Sequence, residues 1–196
     1  MTDPTSWSVN WSSMTTPGEL LNLLMTQLTP QVELAIKSGR ALLASSDNRV
    51  ENTTLFLASA SSAASFLWPS PSRKRALRDA FPNRADDLRQ VLGLADNEPT
   101  ALGRIRNDLT HVDERIEELF LANPNLSIVT WSGSSTAAPG THVYMAYDRD
   151  SEMVHSLGQE FNLRDLVEWF EGLFIRLRQT WFQVMLRART IGHEES

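Results

Sequence analysis

Leu20, Leu21, Leu23, Leu24 and Leu28 recur at helical spacing and make a wide apolar face. They predict a helix that starts near Thr16, with Pro17 at its first position and Glu19 in its first turn. Pro30 then either kinks that helix or separates it from a second piece over 31–45. A second long helix is predicted over about 47–67, and the connector "SRKRALRDAFPNRADDLRQVLGL" reads as one or two short helices broken at Pro82. After a turn at 96–99, Thr100 can cap a helix from 101 to about 121, stopped by "NPN". At 100° per residue Leu102, Ile105, Leu109, Val112, Ile116 and Leu119 fall on one stripe of it, which is core. The period then changes. "LSIVTW" and "HVYMAYD" are β-rich, a Gly/Ser/Pro loop over 132–140 separates them, and "EMVHSLGQEF" reads as a further strand. The longest helix closes the chain from Leu163 to about Arg189. Leu166, Trp169, Phe170, Leu173, Leu177, Trp181, Val184 and Met185 repeat along it at i, i+3/i+4.

These elements assemble into a mainly α fold, an antiparallel up-and-down bundle of four to five helices. A small antiparallel β insertion at about 126–161 precedes the last long helix. Residues 1–16 are Ser/Thr-rich, carry Trp7 and Trp11, and read as a flexible arm. Residues 17–190 make a single bundle domain, and 191–196 a tail. No internal repeat is visible.

Composition narrows the function classes. At 196 residues the chain can bury a core without staples. It has no cysteine, which excludes a disulfide framework and a thiolate zinc site. A formal net charge of -6 argues against nucleic-acid binding by the whole surface. Residues 52–72 carry no charge, but Ser, Thr, Pro69 and Pro71 break the run, so it reads as a buried helix and not a membrane span. The N-terminus lacks a basic region followed by an apolar run, and the cytoplasm is the expected location.

Chemistry concentrates in "RIRNDLTHVDERIEEL", 104–119. On a continuous helix Asn107 and His111, four apart, stack on the side roughly opposite the core stripe, with Arg106 on the flank of that polar side. A second copy meeting this side would bring two Arg–Asn–His sets to a two-fold axis. On the same helix Arg104 with Asp108 and His111 with Arg115 are also plain i, i+4 neighbours on a solvated face.

"RNDLTH" (106–111) resembles the signature of the HEPN superfamily: Arg, a polar residue that is often Asn, three variable residues, then His. The longer "RNDLTHVDER" is similar to stretches in uncharacterised bacterial HEPN-like proteins. The resemblance implies a cytoplasmic homodimer acting as a metal-independent endoribonuclease, with a toxin–antitoxin or phage-defence setting. It assigns catalytic roles to three residues. His111 would be general base or acid on the ribose 2′-hydroxyl, Arg106 would hold the scissile phosphate, and Asn107 would orient His111 or bond a phosphate oxygen. The product would be a 2′,3′-cyclic phosphate, with no metal and no cofactor. One departure stands out: a Tyr common two residues after the His in toxins silenced by a nucleotidyltransferase is Asp113 here. The alternative reading is a catalytically inactive HEPN-like dimeric module binding a partner protein (an antitoxin or a regulator) or a nucleotide.

Elsewhere, Arg73, Lys74, Arg75 and Arg78 form a candidate RNA-binding strip. Over 73–89 six basic residues face three acidic ones, a local net of +3. The alternative is a solvated connector. Arg176, Arg178, Arg187 and Arg189 read as cations toward the C-terminal end of the last helix. His142 and His155 could face each other across a β-hairpin, but without carboxylate or thiolate companions they make no metal site. No G-x-S-x-G, P-loop or glycine fingerprint is present.

Overall fold

The computed structural model describes residues 14–44, 48–69, 74–122, 127–132, 141–157 and 159–194. In chain order these hold α1 (Gly18–Leu43), α2 (Arg49–Leu67), α3 (Arg75–Ala80), α4 (Arg84–Val91), α5 (Thr100–Thr110), α6 (Val112–Ala122), β1 (Ser127–Ser132), β2 (Thr141–Asp148), β3 (Met153–Ser156), β4 (Gln159–Asn162) and α7 (Leu163–Glu194). The expected mainly helical bundle, with a small sheet before the last long helix, is what the chain forms.

α1 runs unbroken through Pro30. Proline removes one backbone donor, so the Thr26 carbonyl loses its helical partner. Both Thr26 and Pro30 are exposed, so water can take that place. The buried face of α1 (Leu21, Met25, Leu28, Val32, Ala35, Leu42) packs on α2 and α7. A Cβ on Gly39 would collide with Val167 of α7 and crowd the ring of Phe56 of α2, so these three helices meet here at glycine's limit. Near the same point Arg40 of α1 bonds Glu171 of α7 at 2.7 Å, which places the end of α1 against the start of α7. Phe56 and Phe170 pack edge to face there, with centroids 6.3 Å apart.

Helix ends are closed from a distance. Arg176 of α7 donates to the carbonyl of Gly93 (2.7 Å) and, more weakly, to that of Leu92 (3.3 Å), while the Thr180 hydroxyl bonds the Val91 carbonyl. These are the carbonyls left over at the end of α4. Arg176 thus serves a neighbouring helix and not only the dipole of its own. At the other end of α4, the Asp87 carboxylate accepts the backbone N–H groups of Thr15 and Thr16. The predicted N-terminal arm is therefore tied down at 15–16; Trp7 and Trp11 lie outside the described residues.

The sheet has the order β1-β2-β3-β4. β2, β3 and β4 are antiparallel as expected, while β1 adds to β2 in parallel. The single strand expected over 152–161 is two, β3 and β4, turned at Leu157, whose φ is 47°. His155 lies opposite Ala146, so it does not pair with His142 across the hairpin. The side chains of His142, Met185, Arg187, Arg189 and His193 lie outside the described residues. Among the described residues, no helix is long and apolar enough to cross a membrane.

The third predicted helix is not continuous. It breaks at His111 (φ -123°, ψ 38°) into α5 and α6. Just before the break the Thr110 hydroxyl bonds the Arg106 carbonyl at 2.7 Å, a back-bond that bends helices. The core stripe holds at Leu102 and Ile105, which are fully buried, and weakens to partial burial at Leu109, Val112 and Ile116. The Leu119 side chain lies outside the described residues.

Candidate functional site

The site is best built outward from the end of α2. Its last turn contains no basic residue, and its final carbonyls need donors. Two arginines from other helices supply them. Arg89 of α4 donates from Nη1 to the Leu67 carbonyl at 2.7 Å, pairs with Asp86, and lies over the Trp68 ring, 5.8 Å from its centroid. Arg106 of α5 donates from Nη1 to the Trp68 carbonyl and from Nη2 to Glu98 Oε2 at 3.0 Å. The Trp68 indole N–H donates to the Asp96 carbonyl, so the chain leaving α2 is held on several sides.

Arg106 therefore points into the fold. Its side chain is 17% exposed and that of Glu98 19%. Burial raises the Glu98 pKa above the ordinary glutamate value, and the nearby charges of Arg106 and Arg89 only partly oppose it. Gly103 makes room for this pair: a Cβ there would sit 3.1 Å from Glu98 Oε2. The sequence placed Arg106 on the flank of an exposed polar side. That placement is corrected, because the guanidinium is taken up closing α2.

Asn107 stays on the surface. His111 is a helix-junction residue: its backbone N–H bonds the Asn107 carbonyl, but its own dihedrals leave the helix. The regular i, i+4 stacking of the two side chains expected for an unbroken helix does not apply. The His111 side chain is 41% exposed, and its Nδ1 lies 3.4 Å from Glu114 Oε2.

Asp108 is the second surprise. Expected on a solvated face, it is 4% exposed. Its Oδ1 lies 3.6 Å from Arg115 Nε, and its Oδ2 is buried without a hydrogen-bond partner. Burial raises its pKa, with Arg115 and then Arg104 pulling the other way. Arg115 is also bonded to Glu118 at 2.7 Å.

Around these side chains lies an open polar depression of about 520 Å³. Arg104, Arg106, Asn107 and Arg115 line it together with Glu98, Asp108, Thr100, Gly103 and Gln159. The structure thus brings Arg106 and Asn107 together, whereas His111 is not among the lining residues. Exposed Arg104 and Asn107 and the partly exposed Arg115 offer donors to an anionic group entering from solvent.

Sequence reasoning passed over Glu98, Asp108 and Gln159. A signal existed for Asp108, three residues after Ile105 and therefore one turn along the buried side. None existed for Glu98 or Gln159, whose positions depend on the tertiary fold.

The strip residues Lys74, Arg75 and Arg78 are all exposed at α3, with Arg75 3.6 Å from Asp79. Arg73 lies outside the described residues. His155 Nδ1 lies 3.4 Å from Glu160. Among the described residues no group of three or more His, Asp or Glu is arranged to hold a metal ion. No family model, curated protein or solved structure matches this chain.

Proposed function

We propose that the chain is a HEPN-like helical bundle working as a binding module, which takes a nucleotide-sized anionic ligand in the depression on α5. One observation carries this reading. The polar segment 104–115 is split by the fold: Arg104, Arg106, Asn107 and Arg115 line an open depression, Arg106 while tied to Glu98 and the end of α2, and His111 is not among the lining residues. The volume falls within the range of small-molecule sites, roughly 300–1,000 Å³. Three arginines against two carboxylates leave its lining net positive.

Calorimetric titration with nucleoside monophosphates, with inorganic phosphate as a control, tests the reading. Arg104→Ala with Arg115→Ala should weaken binding by roughly 10- to 100-fold, the worth of one or two hydrogen bonds to a charged group. Equal affinity in variant and wild type, or no binding by either, would remove the depression as the site.

A specific observation also favours a second reading, the metal-independent endoribonuclease. His111 is partly exposed at a helix break, and the Glu114 carboxylate 3.4 Å from its Nδ1 can orient the ring. In that reading His111 moves the proton of the 2′-hydroxyl, and Arg104 or Arg115 takes over the phosphate-holding role that the resemblance gave to Arg106. The homodimer and the toxin or phage-defence setting belong to this second reading.

A further inference from the structure

The depression on α5 is polar throughout. None of the residues that line it is aromatic, and none is Leu, Ile, Val or Met. A groove of similar size, about 490 Å³ between α1 and α7, is lined instead by Ile36, Phe174 and Ile175 together with charged side chains. The difference bears on the ligand. A nucleobase binds largely through its flat face, which needs a ring or an apolar surface to stack on. The depression offers neither.

Its lining does offer polar atoms that the fold leaves unpaired. Glu98 Oε1 and Asp108 Oδ2 are buried acceptors without a hydrogen-bond partner, and Arg106 Nε is a buried donor without one. Asp108 is 4% exposed, and its Oδ1 lies 3.6 Å from Arg115 Nε, beyond hydrogen-bond reach. Folded proteins seldom leave such atoms unmatched, and a ligand that matches them is one reason to do so. A hydroxyl suits both kinds, since it donates one hydrogen bond and accepts others. The terminal torsion of an aspartate is broad, so a turn of the carboxylate brings either oxygen toward the depression. Exposed Arg104 stands one turn before Asp108 on α5, which makes a cation and an unpaired carboxylate neighbours.

We infer that the depression holds the ribose phosphate part of a nucleotide, with the phosphate on Arg104 and Arg115 and the 2′- and 3′-hydroxyls donating to the Asp108 carboxylate. The same hydroxyls can accept from Arg106 Nε. The base stays in the open mouth and makes no contact. This inference rests on the anionic ligand proposed for the depression and names the part of it that is bound. Hydrogen bonds to a carboxylate are the strong ones, and acidic side chains hold ribose hydroxyls in this way in dinucleotide-binding folds. A sugar without these hydroxyls leaves Asp108 as unpaired as it is in the empty site.

Titration calorimetry on the full chain separates the parts of the ligand. AMP, GMP, CMP and UMP should bind within about threefold of one another, and ribose 5-phosphate, which has no base, within about threefold of them. The 2′,3′-dideoxy form of AMP should bind at least about 10-fold more weakly, the worth of one hydrogen bond to a charged group. In Asp108→Asn, which keeps the shape of the side chain, AMP and its dideoxy form should come within about threefold, with a thermal melt to verify that the variant is folded. Three outcomes each overturn the inference and leave the depression as an anion site: a larger spread among the four bases, equal binding of AMP and its dideoxy form by the wild type, or an unchanged ratio in Asp108→Asn. Binding of none of these ligands removes the depression itself, and the inference with it.

Discussion

The two ends of the segment 106–111 lie five residues apart and have opposite fates. Arg106 enters the fold, where it caps the end of α2 and meets a carboxylate that is itself largely buried. His111 sits at a break in the helix, partly exposed, with the surface carboxylate of Glu114 beside it. The difference follows from what surrounds each side chain. A helix end with unsatisfied carbonyls and no basic residue of its own draws a guanidinium inward, because planar forked donors can satisfy a carbonyl and a carboxylate together. Among the described residues, His111 faces the exposed Glu114 carboxylate instead. A motif that reads as one chemical unit along the chain is therefore two units in space, one structural and one open to solvent.

Removing the inner member should have the largest effect. Arg106→Ala leaves Glu98 buried without its partner and the Trp68 carbonyl without its donor, a loss of about 3–5 kcal/mol. For a chain of this size that is on the order of 10 °C in Tm, read by thermal melting in far-UV circular dichroism. Adding Glu98→Ala should recover part of the loss, since the orphaned carboxylate goes too. A single variant that melts within a degree or two of the wild type would show that the guanidinium is dispensable to the fold and open to other roles.

How much could be read in advance divides along the same line. The long helices, the break at Pro82 and the β excursion were legible because they rest on local periodicity and on turn residues. Thr110 is a local cue to the break at His111, yet a hydrophobic stripe that continues in the sequence through Leu119 outweighs it. The fate of Arg106 was not legible. Its partners Trp68 and Glu98 lie 38 and 8 residues away, and only the packing of α5 on α2 brings them together. The parallel pairing of β1 with β2 is likewise a tertiary outcome, hidden from an alternation pattern that fits either direction. The same holds for Arg176, whose carbonyl partners Leu92 and Gly93 sit 84 and 83 residues before it.

Asp108, between the two ends, sharpens the comparison with a smaller effect that depends on pH. Burial makes its carboxyl easier to protonate in the folded chain than in the unfolded one. Its contribution thus favours the fold fully below the ordinary aspartate pKa, about 3.9, and is lost as pH rises through the raised folded value. At pH 7 the buried charge opposes folding, because desolvation outweighs the pull of Arg115 and Arg104. Asp108→Asn should accordingly melt at or above the wild type at pH 7, with its margin shrinking toward pH 4 in a series of melts. A variant clearly less stable at pH 7 would mean that the ion pair with Arg115 outweighs desolvation, and that the floor of the depression is held by charge.

The outer member should matter least to stability, and that makes it the cleanest probe of function. His111 is partly exposed and, among the described residues, its ring faces the exposed carboxylate of Glu114, so His111→Ala should shift stability by no more than about 0.5 kcal/mol. Any change in activity can then be assigned to the imidazole and not to unfolding, which Arg106→Ala could never allow. Incubating RNA with wild type and variant in EDTA separates the two functional readings. The binding module predicts no cleavage by either protein. Cleavage by the wild type that leaves 2′,3′-cyclic phosphate ends and disappears in His111→Ala would overturn the module, and it would show that catalysis here needs the outer end of the segment while the inner end only holds the fold.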